Sequence, residues 1–283
     1  MLSFLFWNLN GNNPVDRSEA IGERISRLAR NFDIDIFIFV ESSFESTDLA
    51  NFLTNGGAGE YWHSKSECRK VSIFSRLAAH QMLPQHDSDD DRLTVQRVIV
   101  PPHEILLAAV HLRSQLHQNE SAAGFQMTVV QNDIAVIEKD LDNYHTLVVG
   151  DFNLNPFDHG MVAAQAMHGV MVKSVANATE RIVEGRSYRF FYNPMWGLLG
   201  DQSTGPPGTY YYSASSSMEY FWNMFDQVLL RPELMETLQQ LEVLDTDGEF
   251  SLLNQLGRTD KQAASDHLPI LFRLDLDLLE KRS

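Results

Sequence analysis

Short apolar runs recur from one end of the chain to the other, and this recurrence limits the architecture more than any single motif does. They cover residues 2–7, 34–40, 71–74, 94–100, 105–110, 147–149, 227–230 and 268–274. Each is short and uninterrupted, as expected of a buried strand. Helical periodicity falls between some of them. Residues 17–30 place Ile21, Ile25, Leu28 and Ala29 on one face, and residues 121–141 place Phe125, Val129, Ile134 and Ile137 on another. Residues 44–54, 157–168 and 232–241 read as shorter helices. Strands and helices mix without a regular alternation, and 71–110 carries successive strands with no helix between them. The expected fold class is therefore α/β, a sandwich built on mixed sheets and not a doubly wound parallel sheet.

With 283 residues, length allows one large domain or two small ones, and neither an internal repeat nor a linker marks a boundary. An apolar share of 43% supplies a sizeable core. Cys68 is the only cysteine, which excludes an internal disulfide and favours a reducing compartment. No apolar run approaches a membrane span. The opening MLSFLFWNLNGNN lacks the basic start and the cleavage site of a secretory signal, so a cytoplasmic location is expected. A net charge of −16 argues against broad attraction to duplex nucleic acid or an anionic membrane. It does not argue against a phosphate substrate, because carboxylates that hold divalent cations add to the acidic count, and the bound cation reverses the local field.

The runs end in a revealing way. In LVVGDFNLNP, 147–156, Asp151 and Asn153 lie where a core strand leaves the sheet, and period-two alternation points them the same way. A turn explains them as well, since Asp and Asn bond their own backbone. The pattern then repeats. WNLNG ends a run with Asn8 and Asn10, FVESS with Glu41, and AAVHLRS with His111 and Arg113. WNMFDQVLL puts Asp226 at the start of a run, and ASDHLPI puts Asp266 and His267 just before the last one. Singly, each has an ordinary explanation: a turn, a solvated strand end, a satisfied core histidine, a cap before Pro269. Together they point to a site. Hard oxygen ligands such as Glu41 and Asp266 suit Mg²⁺, Mn²⁺ or Ca²⁺. No Cys/His cluster has zinc spacing. Imidazole beside carboxylate offers acid–base chemistry near neutral pH.

The ordered series WNLNG, FVESS, VHLRS, GDFNLNP, FDQVLL and SDHLP resembles the endonuclease/exonuclease/phosphatase superfamily, the deoxyribonuclease I-like fold, over residues 4–272. GDFN with a distant SDHLP is its specific pair. The resemblance implies a single domain over residues 1–283, a four-layered α/β/β/α sandwich with mixed sheets, and a site at one end between the sheets. It implies that Glu41 binds metal with Asn8 and Asn10 beside it, and that Asp266 is a second metal-side ligand. Asp151 would orient or deprotonate the attacking water and Asn153 would hold a phosphate oxygen. Asp226 would pair with His267, and His111 would face the leaving group. One or two Mg²⁺ (or Mn²⁺) ions are implied. The residue types suit phosphodiester hydrolysis on their own terms: a cation neutralises charge on phosphorus oxygens, a carboxylate accepts a proton from water, and an imidazolium donates one. ECRKVSIFSR departs from the family, which often has a glycine-rich turn there. Its Arg69 and Lys70 read equally as surface charge or as phosphate contacts at the cleft rim, and Arg113 is expected to contact substrate.

Two loops frame the question of substrate. QHDSDDDR, 85–92, reads as a solvated hairpin loop. The Gly-, Pro- and Ser-rich tract 201–217 lies within a longer aromatic segment, 186–222, which includes Tyr210, Tyr211 and Tyr212. Aromatic faces stack on bases, at roughly 1–3 kcal/mol each. This favours a nuclease acting on DNA, RNA or a short nucleotide phosphodiester; the sequence leaves the oligomeric state open, with a monomer favoured. A lipid substrate would call for an exposed apolar loop or a basic interfacial helix, and neither is found, so no membrane partner is expected. The alternatives are a phosphoinositide or sphingomyelin-type phosphoesterase, and a binding member without activity. The last is disfavoured because no motif position has lost its functional side chain.

Overall fold

The computed structural model describes residues 1–11, 18–57, 59–114, 120–215 and 217–282. Residue 17 of the first expected helix and residue 216 of the 201–217 tract lie outside them. In the first sheet the strand order is β16 (Leu238–Val243), β17 (Ile270–Leu274), β1 (Leu2–Asn8), β2 (Ile36–Val40), β4 (Val71–Ser75) and β3 (Trp62–His63). In the second it is β5 (Met82–Asp87), β6 (Leu93–Val100), β7 (His103–His111), β8 (Thr146–Asp151), β15 (Asp226–Leu230), β12 (Phe191–Tyr192) and β9 (Gly169–Val170). Parallel pairs β1–β2 and β7–β8 sit among antiparallel neighbours, so both sheets are mixed. Two small hairpins complete the strands, β10 (Glu180–Val183) with β11 (Arg186–Arg189) and β13 (Tyr210–Tyr211) with β14 (Trp222–Asn223).

Alternation along the central strands explains the layering. Leu107, Ala109, Leu147, Val149, Val228 and Leu230 join the first sheet in one buried cluster. Their neighbours Leu106, Ala108, Val110, Val148 and Leu229 pack instead on Met127, Val130 and Ile134 of α3 (Glu120–Leu141). The second sheet is thus covered on both faces, which is why its strands read as unbroken apolar runs. On the first sheet, α1 (Ser18–Phe32) and α2 (Ser46–Gly56) contribute Ile25, Leu28, Leu49 and Leu53. The result is the expected helix–sheet–sheet–helix sandwich. Each large side chain buried in it contributes about 1.5–3 kcal/mol. The layers are also tied by a buried ion pair: Arg231, just past β15, donates through Nε to Glu138 Oε1 of α3 at 2.7 Å, with both side chains at 0–1% exposure. No helix among the described residues is long and apolar enough to cross a membrane.

Three expectations are corrected. The buried face of α3 is Ala123, Met127, Val130 and Ile134, while Phe125 and Val129 face outward at 71% and 41% exposure. At about 3.6 residues per turn, Phe125 and Ile134 lie half a turn apart and cannot share a stripe. Residues 232–237 are turns and 238–241 already belong to β16, because pairing of Leu238–Val243 with β17 claims their backbone; tertiary pairing outweighs local preference here. The expected helix over 157–168 shrinks to α4 (His159–Val162). Of the acidic run 85–92, residues 88–92 form the β5–β6 hairpin connection, while Gln85, His86 and Asp87 belong to β5.

Candidate active site

Register alone assembles most of the site. β1 and β2 run parallel with Asn8 opposite Val40, so Asn8 and Glu41 leave the first sheet together. β7 and β8 run parallel with His111 opposite Asp151, and antiparallel β15 begins with Asp226 opposite Asp151. Strand pairing therefore lays His111, Asp151 and Asp226 side by side at one end of the second sheet, at about 4.8 Å per strand. Gly150 permits this approach: a Cβ there would lie 1.9 Å from the Val110 carbonyl oxygen. Gly11 serves the turn after β1 in the same way, since its Cβ would meet the Glu41 carbonyl oxygen at 2.1 Å. His267 arrives on the segment before β17. The Trp7 indole donates to its carbonyl at 2.9 Å, and Ser265 Oγ donates to the Asn8 carbonyl at 2.7 Å.

The side chains form a connected polar cluster at the mouth of the sandwich. His267 Nδ1 lies 2.7 Å from Asp226 Oδ2, and its Nε2 lies 4.0 Å from Asp151 Oδ2. Asn8 Nδ2 donates to the same Asp151 oxygen at 2.9 Å, and the Asn153 backbone N–H donates to Asp151 Oδ1 at 2.8 Å. The turn explanation and the site explanation of GDFN are thus both correct. Glu41 Oε1 and His111 Nε2 are 3.1 Å apart. Asn10, Glu41 and Asn153 all sit in left-handed backbone, with φ of 50°, 49° and 50°. For a glutamate this is strained, at about 1–3 kcal/mol, as is common where function dictates geometry.

Burial and charge set the proton distribution. Burial works to lower the His267 pKa, but the carboxylates of Asp226 and Asp151 prevail and hold it at about 10. Burial pushes Asp151 above the usual carboxylate range, with His267 pulling it back and Asp226 adding to the rise. The hydrogen bond from His111, against the penalty of burial, holds Glu41 below that range. Within this cluster the imidazole of His267 is the group that holds a proton at neutral pH.

A cavity of about 770 Å³ opens over the cluster and is lined by Asn10, Glu41, His111, Arg113, Asp151, Asn153, Tyr210, Tyr212, Asp266 and His267. Ligand atoms of Glu41, His111 and Asp151 lie within 4.8 Å of one another, as do those of Asp151, Asp226 and His267. Asp266 Oδ1 is buried without a hydrogen-bond partner, as is His111 Nδ1. Unmet acceptors of this kind among hard carboxylates fit a divalent cation. The Asn8 oxygen accepts the Asn10 backbone N–H at 2.9 Å, so its amide acts here as a holder of Asp151.

Not every expected residue reaches the cavity. Arg69 is 86% exposed and donates to Asp91 at 2.6 Å, and Lys70 donates to the Asp90 carbonyl at 3.3 Å. Both tether the acidic hairpin loop. Strand alternation splits the tyrosines. The Tyr210 ring lies 4.7 Å from His267 and Tyr212 stacks beyond it at 6.4 Å, whereas Tyr211 points away, against Trp222 and under Arg258. Burial, then the nearby Asp266 carboxylate, push the Tyr210 phenol up to about 12.

Sequence reasoning missed Arg92, Thr209 and Asn155. Arg92, taken as part of a solvated loop, lines the cavity and donates to the His111 carbonyl at 3.0 Å. Thr209 Oγ1 accepts the Asp226 backbone N–H at 3.1 Å, while its own carbonyl accepts from Leu268, next to His267. Asn155 donates to Asn223 at 2.9 Å and accepts from the Met224 backbone at 2.9 Å, joining the GDFN loop to the approach of β15. Only Asn155 carried a signal, as a second Asn before Pro156 in NLNP.

Solved structures share this fold. TDP2 of D. rerio, in a humanised form with 14 mutations, aligns at a TM-score of 0.59 with 13% identity, covering 97% of this chain and 98% of that one. D. rerio TDP2 complexed with single strand DNA product gives 0.59 and 16% over 97% and 98%. An endonuclease/exonuclease/phosphatase family protein from Bacteroides thetaiotaomicron gives 0.59 and 14% over 96% and 97%. No curated protein matches the sequence. The pattern described as the Endonuclease/Exonuclease/phosphatase family matches residues 5–267, nearly the whole chain and every segment that builds the cluster, and the chain belongs to that family.

Proposed function

We propose that this chain is a phosphodiesterase dependent on Mg²⁺ or Mn²⁺, hydrolysing DNA, RNA or a short nucleotide phosphodiester as one cytoplasmic domain. One observation carries the reading: a His267–Asp226 dyad set 4.0 Å from a buried carboxylate, Asp151, beside the Glu41–His111 pair. Glu41 and Asp266 would hold the cation, which when bound offsets negative charge on the phosphoryl oxygens. Asp151, fixed by Asn8 and the Asn153 backbone, accepts the proton of the attacking water. His267 Nε2 donates to a phosphoryl oxygen, and Asp226 fixes its tautomer through Nδ1. Asn153 holds a phosphate oxygen, and His111 protonates the leaving group from its place beside Glu41. Tyr210 and Tyr212 give the cavity an aromatic wall that suits a base. The single strand DNA product held by the D. rerio protein supports a nucleic acid substrate. The test is metal-dependent release of nitrophenol from bis-nitrophenyl phosphate, followed by a panel of DNA, RNA, cyclic dinucleotide and inositol phosphates. Hydrolysis of inositol phosphates alone would move the reading to the phosphoinositide branch.

A further inference from the structure

The long helix α3 is apolar on both faces. Its inner face packs on the second sheet through Met127, Val130 and Ile134. Its outer face presents Phe125, Val129 and Val136 to solvent, at 71%, 41% and 58% exposure. From residue 121 to residue 132 the sequence carries no charged side chain, in a chain whose net charge is −16. A helix that is apolar all round has a second surface to cover.

The outer residues are regularly spaced. Phe125, Val129, Asn132, Val136 and Lys139 follow one another at steps of four, three, four and three, and all five are exposed. This is the a/d repeat of a helix pair. At about 100° per residue the five fall within an arc of about 80°, and the stripe runs for about 21 Å along the helix.

We propose that this face docks a second copy of the chain, α3 against α3, antiparallel across a two-fold axis. Phe125 of each chain then lies opposite Val136 of the partner subunit, and Val129 opposite Asn132 of the partner subunit. The two Asn132 amides flank the axis, where a lone polar pair fixes the register of an otherwise apolar seam. Charge selects this occupant and this direction. Parallel pairing would align Lys139 with Lys139 and Asp140 with Asp140. Antiparallel pairing sends both toward the uncharged 121–124 stretch of the partner and opposes the two helix dipoles favourably. A basic peptide would seek carboxylates, which this stripe lacks. A lipid surface would call for Lys or Arg along the flanks, where α3 has Asp133 and Asp140.

Topology keeps the catalytic ends clear. β7 ends at the cavity with His111 and β8 returns there to Asp151, so α3 between them begins at the cavity end. Antiparallel pairing therefore sends the two cavities to opposite ends of the dimer, and no described residue of α3 lines the cavity. The seam is short. It belongs with the small interfaces, below about 1,200 Å², so the dimer is weak and forms with rising concentration.

The test is sedimentation velocity of the full chain from about 1 μM to 1 mM, the range of weak association. It needs no substrate, so it stands apart from the reaction assignment. The wild-type chain should pass from monomer to dimer over this range. Phe125→Asp should weaken association by about 30-fold or more, the loss of a hot-spot aromatic. Its melting temperature should hold, because the side chain is exposed. Val129→Glu should also break the dimer. Val129→Glu combined with Asn132→Lys should restore it, since the antiparallel register sets the acid of each chain against the amine of the other. A parallel seam would set like charges together and give no rescue. A chain that stays monomeric at the highest concentration, association untouched by Phe125→Asp, or failure of the paired-charge variant to recover overturns the proposal. Phosphatidylcholine vesicles run alongside, and Phe125-dependent vesicle binding without self-association would give the face to a lipid surface and overturn it as well.

Discussion

His267 presents its Nε2 to the Asp151 carboxylate at 4.0 Å, while its Nδ1 is held by Asp226 at 2.7 Å. The longer gap exceeds a hydrogen bond. The two groups are therefore neighbours that do not bond directly, and in the proposed function they act on a third group between them, one accepting a proton and the other donating.

Asp151→Asn and His267→Ala should each lower kcat by about 10²- to 10⁴-fold, the usual worth of one acid–base group. Asp226→Asn should act through His267, so the double variant should lose far less than the product of the two single losses. Multiplicative losses in steady-state assays would show that the dyad does not work as a unit.

Chelation should abolish activity, and Mg²⁺ or Mn²⁺ should restore it. Glu41→Ala and Asp266→Ala should raise the metal concentration needed for half-maximal activity, with little change in melting temperature. Full turnover in excess chelator would exclude the metal role.

His267 carries a pKa raised from its ordinary 6.5 to about 10 in the metal-free protein. Its ¹⁵N resonances should accordingly remain those of an imidazolium through about pH 8. Because the folded value exceeds the unfolded one, the imidazolium's contribution to stability is complete below about 6.5 and disappears as pH rises through about 10. Thermal melts of chelated protein over this window should show a slope that His267→Gln flattens. A His267 titration midpoint near 6.5 would contradict the assignment.

Tyr212→Ala should raise KM for a nucleic acid substrate and spare hydrolysis of a baseless phosphodiester, because only stacking is lost. Tyr211→Ala should do the reverse, lowering the melting temperature through its Trp222 and Arg258 contacts while leaving KM alone. Identical behaviour of the two variants in both assays would refute the alternation.

Glu138→Ala leaves Arg231 charged and buried, at a cost of about 3–5 kcal/mol in denaturant unfolding. Replacing both partners with apolar residues should recover much of that loss. A near-neutral single variant would mean that water reaches the pair.

How much of this was legible beforehand follows from the range over which each constraint acts. The apolar runs and the polar residues that end them are local properties, so the sandwich, its mixed sheets and the residues from Asn8 to His267 could be read along the chain. Glycine at 150 and 11 could be seen too, but not that each clears a neighbouring carbonyl oxygen. Three matters were decided only in three dimensions. Register placed Arg92 opposite His111, which composition had assigned to a solvated acidic loop. Packing of α3 on the second sheet chose the face of Met127, Val130 and Ile134 and left Phe125 outward. Cross-strand pairing gave 238–243 to a sheet edge and sent Tyr211 to the side away from Tyr210 and Tyr212. In each case the side chains are ordinary, and the meaning comes from a partner distant in sequence. Local chemistry therefore named the parts of the site, and only the pairing of distant strands determined which of them face each other.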